Sequence, residues 1–268
     1  MRCKIDFISQ KRRYPMLPTE SSFIGVDLSA SRKSISYAVL DRNLNLVALA
    51  DCKMDDLITF LAGQTTATVA VNAPSNVNRG IVHANKKNIK LAQVQFRRAD
   101  MRLAEYELRE HGIHATKTPA NLQLCPAWMR SGFELFRKLE KMNFAKYPET
   151  DSACQIMEAN PQASFSILAG QTPLARSSLE GRLQRHLLLH EHGVRIKDPM
   201  DFFEEVTRYK IIKGIWPMEL LYTPDQLDAL AAAYTAWYAV NKAGSVVIVG
   251  DAKEGKIVLP DKELNEKY

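Results

Sequence analysis

Phe23-Ile24-Gly25-Val26-Asp27 is a short apolar run closed by a single carboxylate, followed by Leu28-Ser29-Ala30-Ser31. The run reads as a buried strand, because a continuous apolar stretch of this length leaves no polar face for water. Asp27 stands awkwardly at its end. A carboxylate there is desolvated by apolar neighbours, and a buried unpaired charge is costly. Capping a turn is the ordinary alternative for such an Asp.

Working outward, strand-like segments cover Phe23–Leu28, Ser34–Leu40 and Leu44–Asp51, with hairpin chemistry at Asp41-Arg42-Asn43. Asp55 is placed to cap a short helix, Asp56–Leu61, that stops at Gly63. Ala67-Thr68-Val69-Ala70-Val71 reads as a buried central strand, ending at Asn72-Ala73-Pro74. Three meandering strands and a helical crossover to a fourth predict a mixed sheet. Residues 76–150 change character. Arg97, Arg98, Arg102 and Arg109 alternate with Leu91, Leu103 and Leu108 on one expected helix. Trp128, Phe133, Leu135, Phe136 and Leu139 mark a second.

A fifth strand is expected at Ala153–Glu158, then a helix capped by Asn160 with Pro161 at its first position and Gly170 as its stop. Further helices are expected at Ser177–Glu191, at Met200–Lys213 and from Thr223, where Thr223-Pro224-Asp225-Gln226 fits a capping box. Ser245–Val249 and Lys256–Leu259 suggest a terminal hairpin, about residues 245–260. The expectation is an α/β fold with a mixed five-stranded sheet flanked by helices. An arm, residues 1–22, precedes a single domain, 23–268, with a helical insertion between strands four and five.

Composition narrows the function classes. The 268 residues are 46% hydrophobic and 25% charged, enough for a sizeable core. The net charge of +6 suits a polyanionic partner without requiring one. No run approaches the ~18 apolar residues of a membrane helix, and no signal-peptide pattern opens the chain. Cys3, Cys52, Cys125 and Cys154 form no C-x-x-C pair, and His190 and His192, two apart, do not face each other on a helix. A zinc site is not expected, and a cytoplasmic location without a membrane is.

Acids and amides gather at the predicted sheet edge. Asp27 ends strand one, Asn72 ends strand four and Glu158 ends strand five. Asp225 and Asp228, three apart, share a face at the start of the late helix. Ligands of open sheets collect at the carboxyl ends of strands. Two carboxylates ~4 Å apart at an effective dielectric of ~20 repel by about 4 kcal/mol. A hard cation such as Mg²⁺ or Mn²⁺ relieves that repulsion. Cations so held activate water and stabilise the leaving oxygen of a phosphodiester. Asp225 also has an ordinary role, favouring the helix dipole behind Thr223. Ala229, Ala231, Ala232 and Ala233 let the helix lie close to the sheet, which favours Asp228 as the ligand.

Six segments together resemble the ribonuclease H-like superfamily and, within it, an uncharacterised family of predicted RNase H-like nucleases. They are Gly25-Val26-Asp27, Val69-Ala70-Val71-Asn72-Ala73-Pro74, Arg97-Arg98-Ala99-Asp100, Glu158-Ala159-Asn160-Pro161-Gln162, Glu180-Gly181-Arg182-Leu183 and Asp225-Gln226-Leu227-Asp228-Ala229-Leu230-Ala231. The resemblance spans about residues 23–243. It implies a metal-dependent nuclease site in which Asp27 bridges the metals, Glu158 and Asp228 are ligands or a water-activating base, and Asp225 assists. Asn72 stands where the family usually shows Asp, and Asn160 and Gln162 stand where it shows His and Glu. An Asn oxygen still ligates, without charge. Arg97, Arg98, Arg102 and Arg182 are the candidate contacts to nucleic-acid phosphates, since guanidinium matches phosphate geometry.

Two other classes stay open. A catalytically silent nucleic-acid-binding or interaction protein would keep the fold and lose the chemistry at Asn72. A sugar-kinase or actin-like ATPase also begins with a Gly-x-Asp strand, but needs phosphate-wrapping glycines that do not follow Asp27 here.

Overall fold

The computed structural model describes residues 21–28, 34–82, 100–149, 151–261 and 263–268. Arg97, Arg98 and nearly all of the expected arm lie outside them, and Ser22 already belongs to the first strand.

The fold is mixed α/β. Strands β1 (Ser22–Asp27), β2 (Ile35–Leu40) and β3 (Leu46–Cys52) form the expected antiparallel meander. Helix α1 (Met54–Ala62) crosses to β4 (Ala67–Asn72), which lies parallel to β1. Lys53 takes the N-cap position in place of Asp55, with Asp56 reaching back to its backbone N–H, and Gly63 follows the last turn. Helices α2 (Leu103–Glu110) and α3 (Ala127–Lys141) come next, then the two-residue strand β5 (Ala145–Lys146) and β6 (Cys154–Ala159). After β6 run α4 (Pro161–Ala169), α5 (Leu179–Glu191), two short helices α6 (Asp201–Glu204) and α7 (Arg208–Ile212), and the long α8 (Pro224–Asn241). Strands β7 (Val247–Asp251) and β8 (Gly255–Leu259) close the chain.

The five-stranded expectation needs correction. The sheet has eight strands in the order β3-β2-β1-β4-β6-β8-β7, with β5 also pairing β6. The C-terminal hairpin is part of this sheet: β8 pairs in parallel with the end of β6, and β5 with its beginning. A hairpin's turn chemistry identifies the hairpin but not its neighbour. A two-residue strand is too short for any alternation to mark it. The helix expected over 200–213 is likewise two short pieces, α6 and α7.

Each face of the sheet carries its own core. Phe23, Ala38, Ala70, Met157 and Ala159 pack beneath α8 and α4. Ile24, Val26, Val69, Val71 and Ile156 face α1 and α3. α8 sits closest at Gly25, where a Cβ would overlap the Ala229 carbonyl oxygen and the Ala233 nitrogen. The Ala-rich face of α8 thus meets a strand position with no side chain, and backbone packs on backbone. That approach brings the first turns of α8 to the end of β1. The cap fixes its start: Thr223 Oγ1 accepts from Gln226 N at 3.2 Å, and Gln226 Oε1 accepts from Thr223 N at 3.0 Å.

Candidate functional site

A cleft of about 470 Å³ opens at the carboxyl ends of β1, β4 and β6. Asp27 and Asn72 form its floor, Arg176 and Asp228 one wall, and His114, Thr116 and Trp128 line it as well. Asp27 and Asn72 are paired in the parallel register of β1 and β4, so their side chains leave the same face. Asn72 Nδ2 donates to Asp27 Oδ1 at 2.6 Å.

Asp27 is 1% exposed, yet its Oδ2 has no hydrogen-bond partner. Burial pushes its carboxyl well above the usual range, and the neighbouring Asp228 adds to the rise. Asp228 is raised by burial too, with Arg176 opposing the shift. Arg176 joins three acids. Its Nε donates to Asp228 Oδ2 and its Nη2 to Asp225 Oδ1, both at 2.6 Å. The same Nη2 stands 3.8 Å from Asp27 Oδ2, too far for a hydrogen bond.

The loop carrying Arg176 is held firmly. Buried Arg185 donates to the carbonyls of Leu174 and Gly181 at 2.8 and 3.0 Å, and Gln184 accepts from Leu174 N at 2.7 Å. At Gly181 a Cβ would collide with the Ala175 carbonyl oxygen. The long Arg176 side chain, 40% exposed, is the adjustable part of this wall.

Glu158 lies elsewhere. Val71 pairs with Glu158 in the β4–β6 register, so Glu158 leaves the sheet on the face opposite to Asp27 and Asn72. It is 3% exposed. Arg102 Nη1 donates to its two oxygens at 3.0 and 2.9 Å, and Ser75 N donates to it at 2.7 Å. Glu105 accepts from Arg102 Nε at 2.8 Å, from Thr118 N at 2.9 Å and from the Thr118 hydroxyl. Glu254 accepts from Arg79, Ile81 and Leu103 backbone N–H groups. Arg102 is 2% exposed and is committed through Nε and Nη1 to Glu105, Glu158 and the Glu254 carbonyl. Arg182 is committed to the carbonyls of Tyr222 and Leu221 at 3.0 and 2.9 Å and ties α5 to the segment before α8.

Of the residues expected at the site, Asp27, Asn72 and Asp228 line the cleft, and Asp225 joins them through Arg176. Glu158, Arg102 and Arg182 belong to other contacts. Arg176 was not expected. It is a lone arginine in the polar loop Thr172-Pro173-Leu174-Ala175-Arg176-Ser177, and no periodicity singles it out. Trp128, which in sequence marks α3 and fits either core or interface, is half-buried on the cleft wall.

The acids of the site carry oxygen donors, the ligand type that hard divalent cations take. Asp27, Asp225 and Asp228 offer carboxylate oxygens, and one of these, Asp27 Oδ2, is buried and unpartnered. As they stand, the three acids share one guanidinium. Among the described residues no group of three or more His, Cys, Asp or Glu side chains is already gathered at metal-holding geometry. No described helix is long and apolar enough to cross a membrane. A family model described as "Protein of unknown function (DUF429)" matches residues 25–254. No curated protein matches, and no solved structure matches.

Proposed function

The chain belongs to the DUF429 family, and from its cleft we propose that it is an RNase H-like, metal-dependent nuclease that hydrolyses phosphodiester bonds of RNA or DNA. One observation carries the reading: Asp27, 1% exposed at the end of β1, keeps an unpartnered carboxylate oxygen among acids that share a single arginine. Asp27, Asp225 and Asp228 would hold Mg²⁺ or Mn²⁺. When bound, such an ion supplies an activated water and stabilisation of the leaving oxygen.

The rest of the cleft suits a nucleic acid. Trp128 offers an aromatic surface on which a base can stack, a contact worth ~1–3 kcal/mol. The overall charge of +6 attracts a polyanion towards a locally acidic floor. Asn72 steadies Asp27 Oδ1 by its hydrogen bond and contributes no charge.

A labelled oligonucleotide incubated with Mn²⁺ or Mg²⁺ tests the reading. Cleavage that disappears in Asp27→Asn supports it. Metal-dependent cleavage that survives Asp27→Asn sinks it. A second reading is favoured by Asn72 and by the sequestration of Glu158: a nucleic-acid-binding relative without chemistry. Tight binding of the same oligonucleotide without cleavage selects that one.

A further inference from the structure

Arg176 has three properties that together bear on how the site works. It is the cation shared by Asp225 and Asp228, with Asp27 within 3.8 Å. The two residues before it, Leu174 and Ala175, are held by Arg185, Gln184 and the close approach at Gly181, while its own side chain is 40% exposed at the cleft. And its hydrogen bonds stop short of the deepest acceptor, Asp27 Oδ2, which is buried without a partner. A guanidinium is planar and donates at fixed angles. It satisfies two of the carboxylates and cannot also reach the third from the same position. A divalent ion takes oxygen ligands from all sides, where a guanidinium donates only in its plane, and it carries twice the charge.

We infer that Arg176 is a resident counter-cation that competes with the divalent metal for Asp225 and Asp228, and must release both before the metal is held. The inference rests on the nuclease reading of the cleft and adds a residue to it. In the metal-free protein, Arg176 keeps three acids from repelling one another. In the metal-bound protein its charge is redundant there, and it swings towards the open cleft. Arg176 is thus a positioning residue that sets the metal affinity.

Direct measurement of Mn²⁺ binding to the full-length chain, by the electron paramagnetic resonance signal of free Mn²⁺, tests this without reference to turnover. Arg176→Gln removes the competitor and is expected to tighten Mn²⁺ binding about tenfold or more, with Arg176→Lys falling between it and the wild type. Metal-free Arg176→Gln is expected to melt lower than wild type, and the gap to close on adding Mn²⁺. Unchanged or weaker Mn²⁺ affinity in folded Arg176→Gln overturns the inference. A wild-type crystal soaked in Mn²⁺ covers the case in which the variant does not fold. Broken bonds from Arg176 to Asp225 and Asp228 support the inference, and intact bonds beside a bound metal refute it. Absence of Mn²⁺ binding in every form, wild type included, removes the nuclease reading itself. Binding in wild type with no gain in the variant removes only the role of Arg176.

Discussion

Two clusters in this molecule have the same formal make-up, three carboxylates and one arginine, and opposite characters. Arg102 pairs with the carboxylates of Glu105 and Glu158 and donates to the backbone carbonyl of Glu254, whose own carboxylate lies alongside, held by N–H groups. Around Arg176 stand Asp27, Asp225 and Asp228. In the first, backbone N–H groups of Ser75, Arg79, Ile81, Arg102, Leu103 and Thr118 also point at the carboxylates. Those dipoles offset the excess negative charge, and the cluster is closed. In the second, the one further hydrogen bond to the carboxylates among the described residues comes from the Asn72 amide, and an oxygen of Asp27 is left over. Equal charge counts therefore say little. The supply of donors separates a structural tie from a site that lacks a ligand.

Removing one acid from each cluster separates the two most widely. Asp27→Asn is expected to lower phosphodiester cleavage by on the order of 10³-fold while leaving the fold intact. It should also unfold at a slightly higher denaturant concentration, because the cost of burying an underpaired ionisable carboxyl has gone. Glu158→Gln is expected to do the reverse. It removes one of the two buried carboxylates that pair with Arg102 and should cost about 3 kcal/mol in urea unfolding, with cleavage per folded molecule unchanged. Full stability combined with lost cleavage in Glu158→Gln would erase the distinction between the clusters.

A smaller effect sharpens it. Gly25→Ala places a methyl group against the α8 backbone and is expected to cost about 3 kcal/mol. The same change pushes Asp228 away from Asp27, so Mn²⁺ affinity should fall along with stability. The Arg102 cluster lies on the other side of the sheet and should keep its hydrogen bonds, as hydrogen exchange at Thr118 N–H would report.

The smallest effect sets the acid baseline for both. His186 is fully buried, bonded through Nε2 to the Lys197 carbonyl at 2.9 Å, with Nδ1 unpartnered. Burial pushes its pKa down to about 4. The unfolded chain therefore binds the proton more readily than the folded one, and stability is lost as the pH falls from about 6.5 towards 4. The loss should approach about 3 kcal/mol and vanish in a folded His186→Gln. A resonance of His186 titrating near 6.5 would refute the assignment.

Much of this was legible in the chain. The apolar run to Asp27, the Asn160 and Thr223 caps, the Gly170 stop and the alanines of α8 each act through nearest neighbours or one helix face, and local chemistry is written locally. Asp225 and Asp228 were readable for the same reason, being one turn apart. Glu158 was not. Its position depends on which residue of β4 it faces, and a strand's side chains reverse with each residue. Pairing with Val71 in place of Asn72 turns it away from Asp27.

Periodicity and short-range hydrogen bonding thus wrote most of the longer elements, the Asn160 and Thr223 caps and the acids at the sheet edge into the chain. Only the tertiary structure decided which acids meet. Register put Glu158 on the far face with Arg102, the side-chain-free contact at Gly25 brought α8 down to Asp27, and a clamped loop delivered Arg176 across the cleft. All three are contacts between residues far apart in the chain, where sequence spacing holds no distance and only packing does.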